Sequence, residues 1–334
     1  MPLFEKDPDQ LRQYESAVAP PADFIEFWER TIAEAREHPL NARFERAENH
    51  LTVIDTYDVS FAGYGGAPIK GWLHLPAGTD PRNPLPVVIQ YAGYGGGRGL
   101  VNQNTRWAQA GYAHFIMDTR GQGYGGAYGE TPDPHPSAGG NNYAGLMTRG
   151  IHSPDEYFYR RVYVDAFRAV EAAQSHPAID PGRVILSGTS QGGGITVAVA
   201  GLAAGRLDGI VAAHIDVPFL QDFPRAIDIT PRGPYPEVAS FLGRHRNEYE
   251  SILTVLNYFD GVNLARLAAA PALYSVALMD DVCPPSTVFA SYNAYGTDNP
   301  GVPKDIEVYR FNNHEGGQEH QWIVQLKHLR KILG

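Results

Sequence analysis

Short apolar runs recur along the chain and are separated by segments long enough to form helices. Residues 51–61 and 67–75 alternate between apolar and polar side chains, as strands with one buried face do. The later runs are richer in β-branched and aromatic residues and lie at 84–92, 112–118, 183–188, 209–216, 272–280 and 306–311. Strands that alternate with helices predict an α/β protein with a mostly parallel central sheet covered by helices on both faces.

Helical periodicity is clearest in two places. Residues 21–37 carry aromatic and aliphatic side chains at helical spacing and predict an amphipathic helix. A second helix is predicted to begin at Ser153, with proline at its first position and Glu156 closing a capping box. Its buried face is predicted to comprise Tyr159, Val162, Ala166, Ala169, Val170 and Ala173.

Two connections are longer than a simple crossover requires. Residues 217–262 separate consecutive predicted strands by more than one helix, which predicts a lid-type insertion. Residues 121–150 are rich in Gly, Pro, Asn and Tyr and predict a long ordered loop, a kind of segment that is usually functional. We expect a single α/β domain over residues 1–334.

Composition and charge exclude several classes of protein. The formal net charge of -10 and the absence of a basic patch disfavour binding to nucleic acid or to an anionic membrane. The longest apolar stretch, residues 195–204, is too short to span a bilayer, and residues 1–18 lack the features of a secretory signal. Cys283 is the only cysteine, which excludes an internal disulfide and fits a small buried hydrophobic side chain. These features predict a cytoplasmic protein.

Residues 187–196, SGTSQGGGIT, lie between an apolar run and a helix-like segment. The sequence from Gly188 to Gly192 fits G-x-S-x-G, the tight strand-to-helix turn that exposes the hydroxyl of a nucleophilic serine, here Ser190. Glycine is favoured on both sides of that serine because the backbone there is crowded. A flexible glycine-serine turn has the same composition, so the rest of the chain must decide between the two.

A serine nucleophile needs a base and an acid that orients the base, because a hydroxyl is weakly nucleophilic at neutral pH. In proteins with this elbow the acid follows the serine in the chain, and the histidine follows the acid. Asp280 ends the run 272–280, and His314 lies in the loop after the next run. Helix capping or a surface loop would explain each residue singly, but their order predicts a triad of Ser190, Asp280 and His314. Side chains alternate along a strand, so we expect Asp280 rather than Asp281 to face the histidine.

The oxyanion that forms when a serine attacks a carbonyl needs preorganised hydrogen-bond donors. The elbow supplies the backbone N–H of Gln191. The glycine-rich segment YAGYGGGRG after the third predicted strand supplies a second donor, for which the backbone N–H of Tyr94 is the candidate.

Competing motifs fail on inspection. The glycines at 121, 123 and 126 match a dinucleotide-binding fingerprint, but the proline-containing segment after them cannot open a helix. His314-Glu315 begins an H-E-x-x-H zinc motif, but position 318 is Gln and the next histidine is His320. The sequence contains no G-x-x-x-x-G-K-[ST] segment that would indicate nucleotide hydrolysis.

Three short segments together resemble the signature of a known family. Arg120-Gly121-Gln122, the elbow at residues 188–192 and His314-Glu315 resemble carbohydrate esterase family seven, the acetyl xylan esterase and cephalosporin C deacetylase group of α/β-hydrolases. The phrases SGTSQGGG, LMDDVCPPSTVFASYN and NNHEGG also resemble family sequence, and the resemblance covers nearly the whole chain. It implies the α/β-hydrolase fold.

The resemblance assigns the same triad and the same two backbone donors. It also implies that Tyr94 and Pro234 contact the substrate, with Pro234 in the wall of a small acyl pocket. The family hydrolyses short acyl esters, chiefly acetyl, from xylo-oligosaccharides and the cephalosporin nucleus, without a metal or cofactor. It typically forms hexamers whose entrances restrict substrate size, so a homo-oligomer acting on small acetyl esters is expected.

The match has one departure, since family members often have His-Gly-Tyr-Asn where this chain has Ala92-Gly93-Tyr94-Gly95. Backbone donors survive that change, although loop rigidity and substrate fit can differ. Arg120, Gln122 and Glu315 are expected to support loops rather than to react, with the arginine donating to backbone carbonyls.

Two alternatives to an acetyl esterase remain. The first is a broader short-chain carboxylesterase or a peptidase on the same fold. The second is a catalytically silent hydrolase fold that serves as a ligand receptor. The intact serine, acid and histidine disfavour the receptor.

Overall fold

The central sheet is the frame on which the candidate residues are arranged. The computed structural model describes residues 5–136 and 145–334. In these residues nine strands form one sheet in the order β1-β2-β3-β5-β4-β6-β7-β8-β9. They are β1 (Arg43–Ala47), β2 (Ile54–Ala62), β3 (Pro68–Pro76), β4 (Leu85–Tyr91), β5 (Ala113–Met117), β6 (Ile179–Thr189), β7 (Ile210–Asp216), β8 (Ala272–Ala277) and β9 (Lys304–Tyr309). Strands β4 to β9 pair in parallel and β1 to β3 antiparallel, which confirms the predicted mostly parallel sheet.

The observed strands differ from the predicted runs at three points, besides shifts of up to three residues at other strand ends. β1 was not predicted, because its sequence RFERA forms an exposed edge with little apolar alternation. β6 begins at Ile179, earlier than the predicted 183. β8 ends at Ala277 rather than at 280, because the chain turns there and the N–H of Asp280 donates to the carbonyl of Ala277 at 3.1 Å.

Helices cover both faces of the sheet. In the described residues they are α1 (Pro8–Arg12), α2 (Phe24–Arg36), α3 (Arg106–Gln109), α4 (Phe158–Gln174), α5 (Gln191–Ala203), α6 (Phe223–Ile229), α7 (Tyr235–Leu242), α8 (Tyr249–Leu256), α9 (Gly261–Leu267), α10 (Pro285–Ala294) and α11 (Gln318–Leu333). In β4, Val87 and Ile89 face the larger core with α4 and α5, whereas Val88 faces a smaller core with Trp107 of α3 and Leu329 of α11. None of the described helices is long and apolar enough to cross a bilayer.

The predicted start of the second helix is wrong. Ser153 instead begins a separate turn, in which its carbonyl accepts from the N–H groups of Glu156 and Tyr157 at 3.1 and 3.0 Å. Tyr157 then adopts an extended conformation, and its buried hydroxyl donates to the carbonyl of Met147 at 3.0 Å. Helix α4 therefore begins only at Phe158. The predicted buried face of this helix is confirmed.

The two long connections have different structures. Residues 217–262 contain α6, α7, α8 and the start of α9, and they lie between β7 and β8. The predicted loop at 121–150 lies partly outside the described residues, at 137–144.

A buried chain of alternating charges fixes the described part of the 121–150 loop against α4. Asp165 accepts two hydrogen bonds from Arg120, at 2.5 and 2.7 Å, and Arg120 reaches Asp133 at 3.4 Å. Asp133 in turn accepts from Arg161 at 3.1 and 2.9 Å. We call these four residues the buried ion network. Arg120 thus supports the loop through carboxylates and not, as expected, through backbone carbonyls.

Candidate active site

Ser190 lies in a strained turn between β6 and α5. Its φ of 59° and ψ of -120° are unusual for a residue with a side chain, and such strain is common at functional positions. Its N–H donates to the carbonyl of Asp216 at 3.0 Å, and its carbonyl accepts from the N–H of Phe219 at 2.9 Å. A Cβ on Gly192 would lie 2.1 Å from the carbonyl oxygen of Tyr91, so the elbow requires glycine there for space. The G-x-S-x-G segment thus forms the turn that its sequence indicates.

Three predicted side chains meet at this turn. The Oγ of Ser190 is 2.9 Å from Nε2 of His314, and Nδ1 of His314 is 2.8 Å from Oδ2 of Asp280. Asp280 is fully buried, whereas about a quarter of the His314 side chain is exposed. A buried carboxylate at Nδ1 favours the tautomer in which Nε2 is free to accept the serine proton.

A turn after β8 directs two adjacent carboxylates to different partners. Oδ1 of Asp280 accepts from the backbone N–H groups of Val282 and Cys283, both at 2.8 Å, which leaves Oδ2 for the histidine. Asp281 contacts Arg232 instead, through Oδ1 at 2.6 Å. This geometry agrees with the expectation that Asp280 rather than Asp281 faces the histidine. That expectation assumed a straight strand up to residue 280, whereas β8 ends at Ala277.

The loop after β9 holds His314 in place. The backbone N–H of His314 donates to Oδ1 of Asn313 at 2.7 Å. The carboxylate of Glu315 accepts from the N–H of Asn313 at 3.1 Å and from Nδ2 of Asn312 at 3.1 Å. Hydrogen bonds from backbone N–H groups lower the pKa of Glu315, so this carboxylate is ionised at neutral pH. Glu315 supports the loop, which is the role expected of it.

The two predicted oxyanion donors lie on segments that one glutamine connects. Among the described residues, the backbone N–H groups of Tyr94 and Gln191 donate to no acceptor, so both can serve a ligand. Gln122 accepts from the N–H of Gly95 at 2.6 Å and donates to Oε1 of Gln191 at 2.9 Å. The buried hydroxyl of Tyr159 donates to the same Oε1 at 2.9 Å. Gln122 therefore holds the segment around Tyr94 and the elbow at Ser190 together.

Tyr94 also connects the segment after β4, which carries one candidate oxyanion donor, to the helices between β7 and β8. Its hydroxyl lies 2.8 and 2.9 Å from the two carboxylate oxygens of Glu237 on α7. Burial raises the pKa of Tyr94 far above its ordinary value, so the phenol stays protonated and donates to Glu237. Sequence reasoning did not identify Glu237, because no local motif marks it.

Cys283 also contacts the nucleophile. It is buried close to Ser190, and burial raises the pKa of its thiol well above the ordinary value. A neutral thiol is a weak nucleophile. The sequence predicted the burial of Cys283 but not its contact with Ser190.

A cavity of about 370 Å³ opens beside Ser190 and His314. The chain around Tyr94 lines part of the cavity, and several polar residues line it as well. Those residues are Gln90, Asn104, Arg106, Ser187, Asp216 and Gln325. Pro234 is buried at the start of α7 and is not among the described residues that line this cavity.

Comparison with known proteins identifies the family. Residues 1–332 match the family model described as Acetyl xylan esterase (AXE1). The solved acetyl xylan esterase from Paenibacillus sp. R4 is 35% identical with a TM-score of 0.87, and the match covers 97% of this chain and 99% of that one. Acetyl xylan esterase 1 from Thermoanaerobacterium sp. JW/SL YS485 is 30% identical with a TM-score of 0.85, at 97% and 99% coverage.

A curated relative leads to the same group of enzymes. The acetyl esterase Axe7A of Xylanibacter ruminicola is 27% identical over 328 residues, which is 96% of this chain and 68% of that protein. The resemblance drawn from the motifs is thereby confirmed. With its central sheet, its elbow and these relatives, the chain belongs to the acetyl xylan esterase family of α/β-hydrolases.

Proposed function

We propose that this protein is a serine esterase that removes acetyl groups from small acetylated substrates, with Ser190 as nucleophile, His314 as base and Asp280 as its partner. The observation that carries the proposal is the continuous hydrogen-bonded connection from the Ser190 hydroxyl through His314 to a buried carboxylate, at 2.9 and 2.8 Å. Membership in a family of ester hydrolases supports the reaction class.

The first half of the reaction forms an acetyl-enzyme. Oγ of Ser190 attacks the acetyl carbonyl carbon while Nε2 of His314 takes the hydroxyl proton. The carbonyl oxygen becomes negatively charged and is stabilised by the backbone N–H groups of Tyr94 and Gln191. The bond to the alcohol oxygen then breaks, and His314 gives its proton to that oxygen. The alcohol leaves, and the acetyl group remains on Ser190.

The second half repeats the chemistry with water. His314 takes a proton from water, the resulting hydroxide oxygen bonds to the acetyl carbon, and a second oxyanion forms in the same hole. Its collapse breaks the bond to Oγ, which takes the proton back from His314. Acetic acid is released and loses its proton to solvent, and each residue returns to its starting protonation state. Asp280 keeps its charge throughout and stabilises the imidazolium.

Replacement of the nucleophile tests the mechanism. Ser190→Ala should leave the fold intact and reduce kcat by about 10⁶, as in other serine triads. The hydrolysis of p-nitrophenyl acetate and the circular dichroism spectrum should be measured together. A variant that keeps a tenth of the wild-type rate would remove Ser190 from the mechanism.

We propose acetylated xylo-oligosaccharides and cephalosporin C-like acetyl esters as substrates. Two relatives are named acetyl xylan esterases and a third is named an acetyl esterase, which supports acetyl as the acyl group. Acetyl, butyryl and amide substrates should be compared on one enzyme preparation. A butyryl rate equal to the acetyl rate would favour a broader carboxylesterase, and amide cleavage would favour a peptidase.

We propose in addition that the protein is cytoplasmic and forms a homo-oligomer, a hexamer of 36.6 kDa subunits. The family resemblance supports the oligomer, and the single buried cysteine fits a reducing compartment. Light scattering at micromolar concentration should give a mass well above that of one subunit. A monomeric mass would overturn the hexamer.

A further inference from the structure

The cavity beside Ser190 continues past the end of β7. A second cavity of about 230 Å³ shares Arg106, Thr189, Asp216 and Gln325 with the first. It ends against Trp322 on α11. We call the region lined by Arg106, Asp216, Trp322 and Gln325 the distal groove. It adjoins the nucleophile but takes no part in the chemistry described above.

The carboxylate of Asp216 is held by neutral hydrogen-bond donors and can still accept a hydrogen bond from a ligand. Its Oδ1 accepts from the hydroxyl of Ser275 at 2.8 Å and from Nε2 of Gln321 at 2.9 Å. Its Oδ2 accepts from Nε2 of Gln325 at 2.6 Å. Each carboxylate oxygen has two lone pairs, so Oδ2 can accept a further hydrogen bond from a hydroxyl in the cavity. The donors from Ser275, Gln321 and Gln325 are a hydroxyl and two amides, and none of these three residues is an arginine or a lysine.

Trp322 and Arg106 line the groove together with Asp216. The guanidinium of Arg106 lies 5.5 Å from the centre of the Trp322 ring and 3.5 Å from a carboxylate oxygen of Glu319. An aromatic wall beside a carboxylate and a guanidinium offers an apolar surface together with donors and acceptors. These are the groups that a sugar ring needs, because its C–H face is apolar and its hydroxyls both donate and accept.

Charge determines which class of ligand fits. The second cavity is lined by three carboxylates, Asp216, Glu315 and Glu319, and by one guanidinium, Arg106. This excess of negative charge disfavours an anionic ligand and leaves a neutral polyhydroxylated one unaffected. His314, which donates its proton to the departing alcohol, lines the first cavity together with Asp216. The cavity that receives the alcohol part of the ester beside His314 is therefore the one that the distal groove adjoins.

We propose that the distal groove binds the sugar residue next to the acetylated one. The proposal rests on the proposed function, since it assigns the alcohol part of the same substrate. Asp216 accepts from a sugar hydroxyl, Arg106 donates to another, and Trp322 contacts the ring.

The test compares two acetyl esters that differ in their alcohol part. We would measure kcat/KM for acetylated xylobiose and for p-nitrophenyl acetate with the wild type, Asp216→Asn and Arg106→Gln. The ratio of the first value to the second should fall about tenfold in both variants, mainly through KM, because a hydrogen bond to a charged group is lost. The matched controls Asp208→Asn and Arg310→Gln alter exposed residues outside the cavities and should stay within twofold of the wild-type ratio.

A binding measurement separates this proposal from the proposed function. Xylobiose should bind to Ser190→Ala by calorimetry, and more weakly by about tenfold when Asp216→Asn or Arg106→Gln is added. An unchanged ratio in both variants, or an equal loss on both esters, would overturn the sugar site. A wild type that hydrolyses neither ester would overturn the proposed function. The sugar site would then be tested by xylobiose binding alone, and equal affinity in Ser190→Ala with and without the groove substitutions would overturn it.

Discussion

Two neighbouring aspartates differ in role because a turn separates their side chains. Asp280 lies buried against His314, whereas Asp281 contacts Arg232, a side chain that is more than half exposed. Asp281 itself is buried, but its partner is largely in solvent and neither residue bonds to the His314 side chain, so we expect only a small effect of its loss on the histidine. The catalytic effect of a substitution should therefore depend strongly on which of the two positions it occupies.

Asp280→Asn should lower kcat by roughly 10⁴, because an amide in place of the carboxylate favours the wrong histidine tautomer and cannot stabilise the imidazolium. Asp281→Asn is the matched control and should change kcat only a few-fold. Both variants should be assayed on p-nitrophenyl acetate near pH 8. A larger loss in Asp281→Asn would assign the acid to the other position.

At the scale of elements, the proposed oxyanion hole depends on three segments that are distant in sequence. Gln122, in the segment after β5, contacts Gly95 in the segment after β4 and Gln191 at the start of α5. Each segment alone is a turn with conformational freedom. The three hydrogen bonds of one buried amide, one to Gly95 and two to Gln191, hold the segments of the two donors together, which is the preorganisation that oxyanion stabilisation requires.

Gln122→Met keeps the length of the side chain and removes its three hydrogen bonds. We expect kcat to fall by roughly 10² with little change in KM, since the hole matters most in the transition state. Gln13→Met, at an exposed position beside α1, is the control and should leave the kinetics unchanged. A Gln122→Met variant with normal kcat would show that the loops keep their distance without this amide.

The sequence predicted what is encoded locally or by order along the chain. The elbow follows from five adjacent residues, and the sheet follows from the spacing of apolar runs. The contacts of Gln122, Tyr159 and Glu237 could not be predicted, because each joins residues far apart in the chain with no repeating pattern. The start of α4 was missed for the same reason, since the distant Met147 fixes Tyr157 in an extended conformation.

At the scale of the whole molecule, buried histidines make stability depend on pH. Burial lowers the pKa of His74, on β3, to about 4. Below the ordinary value of about 6.5 the unfolded chain binds a proton that the folded chain does not, so stability falls as the pH falls towards 4. Asp216 acts in the opposite direction, because burial raises its pKa to about 6 and the stability it provides is lost as the pH rises through that value.

A substitution isolates the contribution of one histidine. In His74→Gln, the loss of unfolding free energy between pH 7 and pH 5 should be smaller than in the wild type by about 2 kcal/mol. Urea unfolding at the two pH values measures this difference. His50→Gln is the control, since 84% of the His50 side chain is exposed. An identical pH dependence in His74→Gln and the wild type would contradict the assignment.

The buried ion network limits which amino-acid substitutions the loop between β5 and α4 can accept during evolution. Removal of one member leaves an uncompensated charge in the interior, at a cost of about 3–5 kcal/mol, whereas simultaneous replacement by apolar side chains of similar volume can be nearly neutral. The path from one tolerated sequence to another therefore passes through an unstable intermediate. A directed-evolution library that randomises Arg120, Asp133, Arg161 and Asp165 independently would consist mostly of unfolded variants, and one that changes them in charge-matched pairs would retain far more active clones.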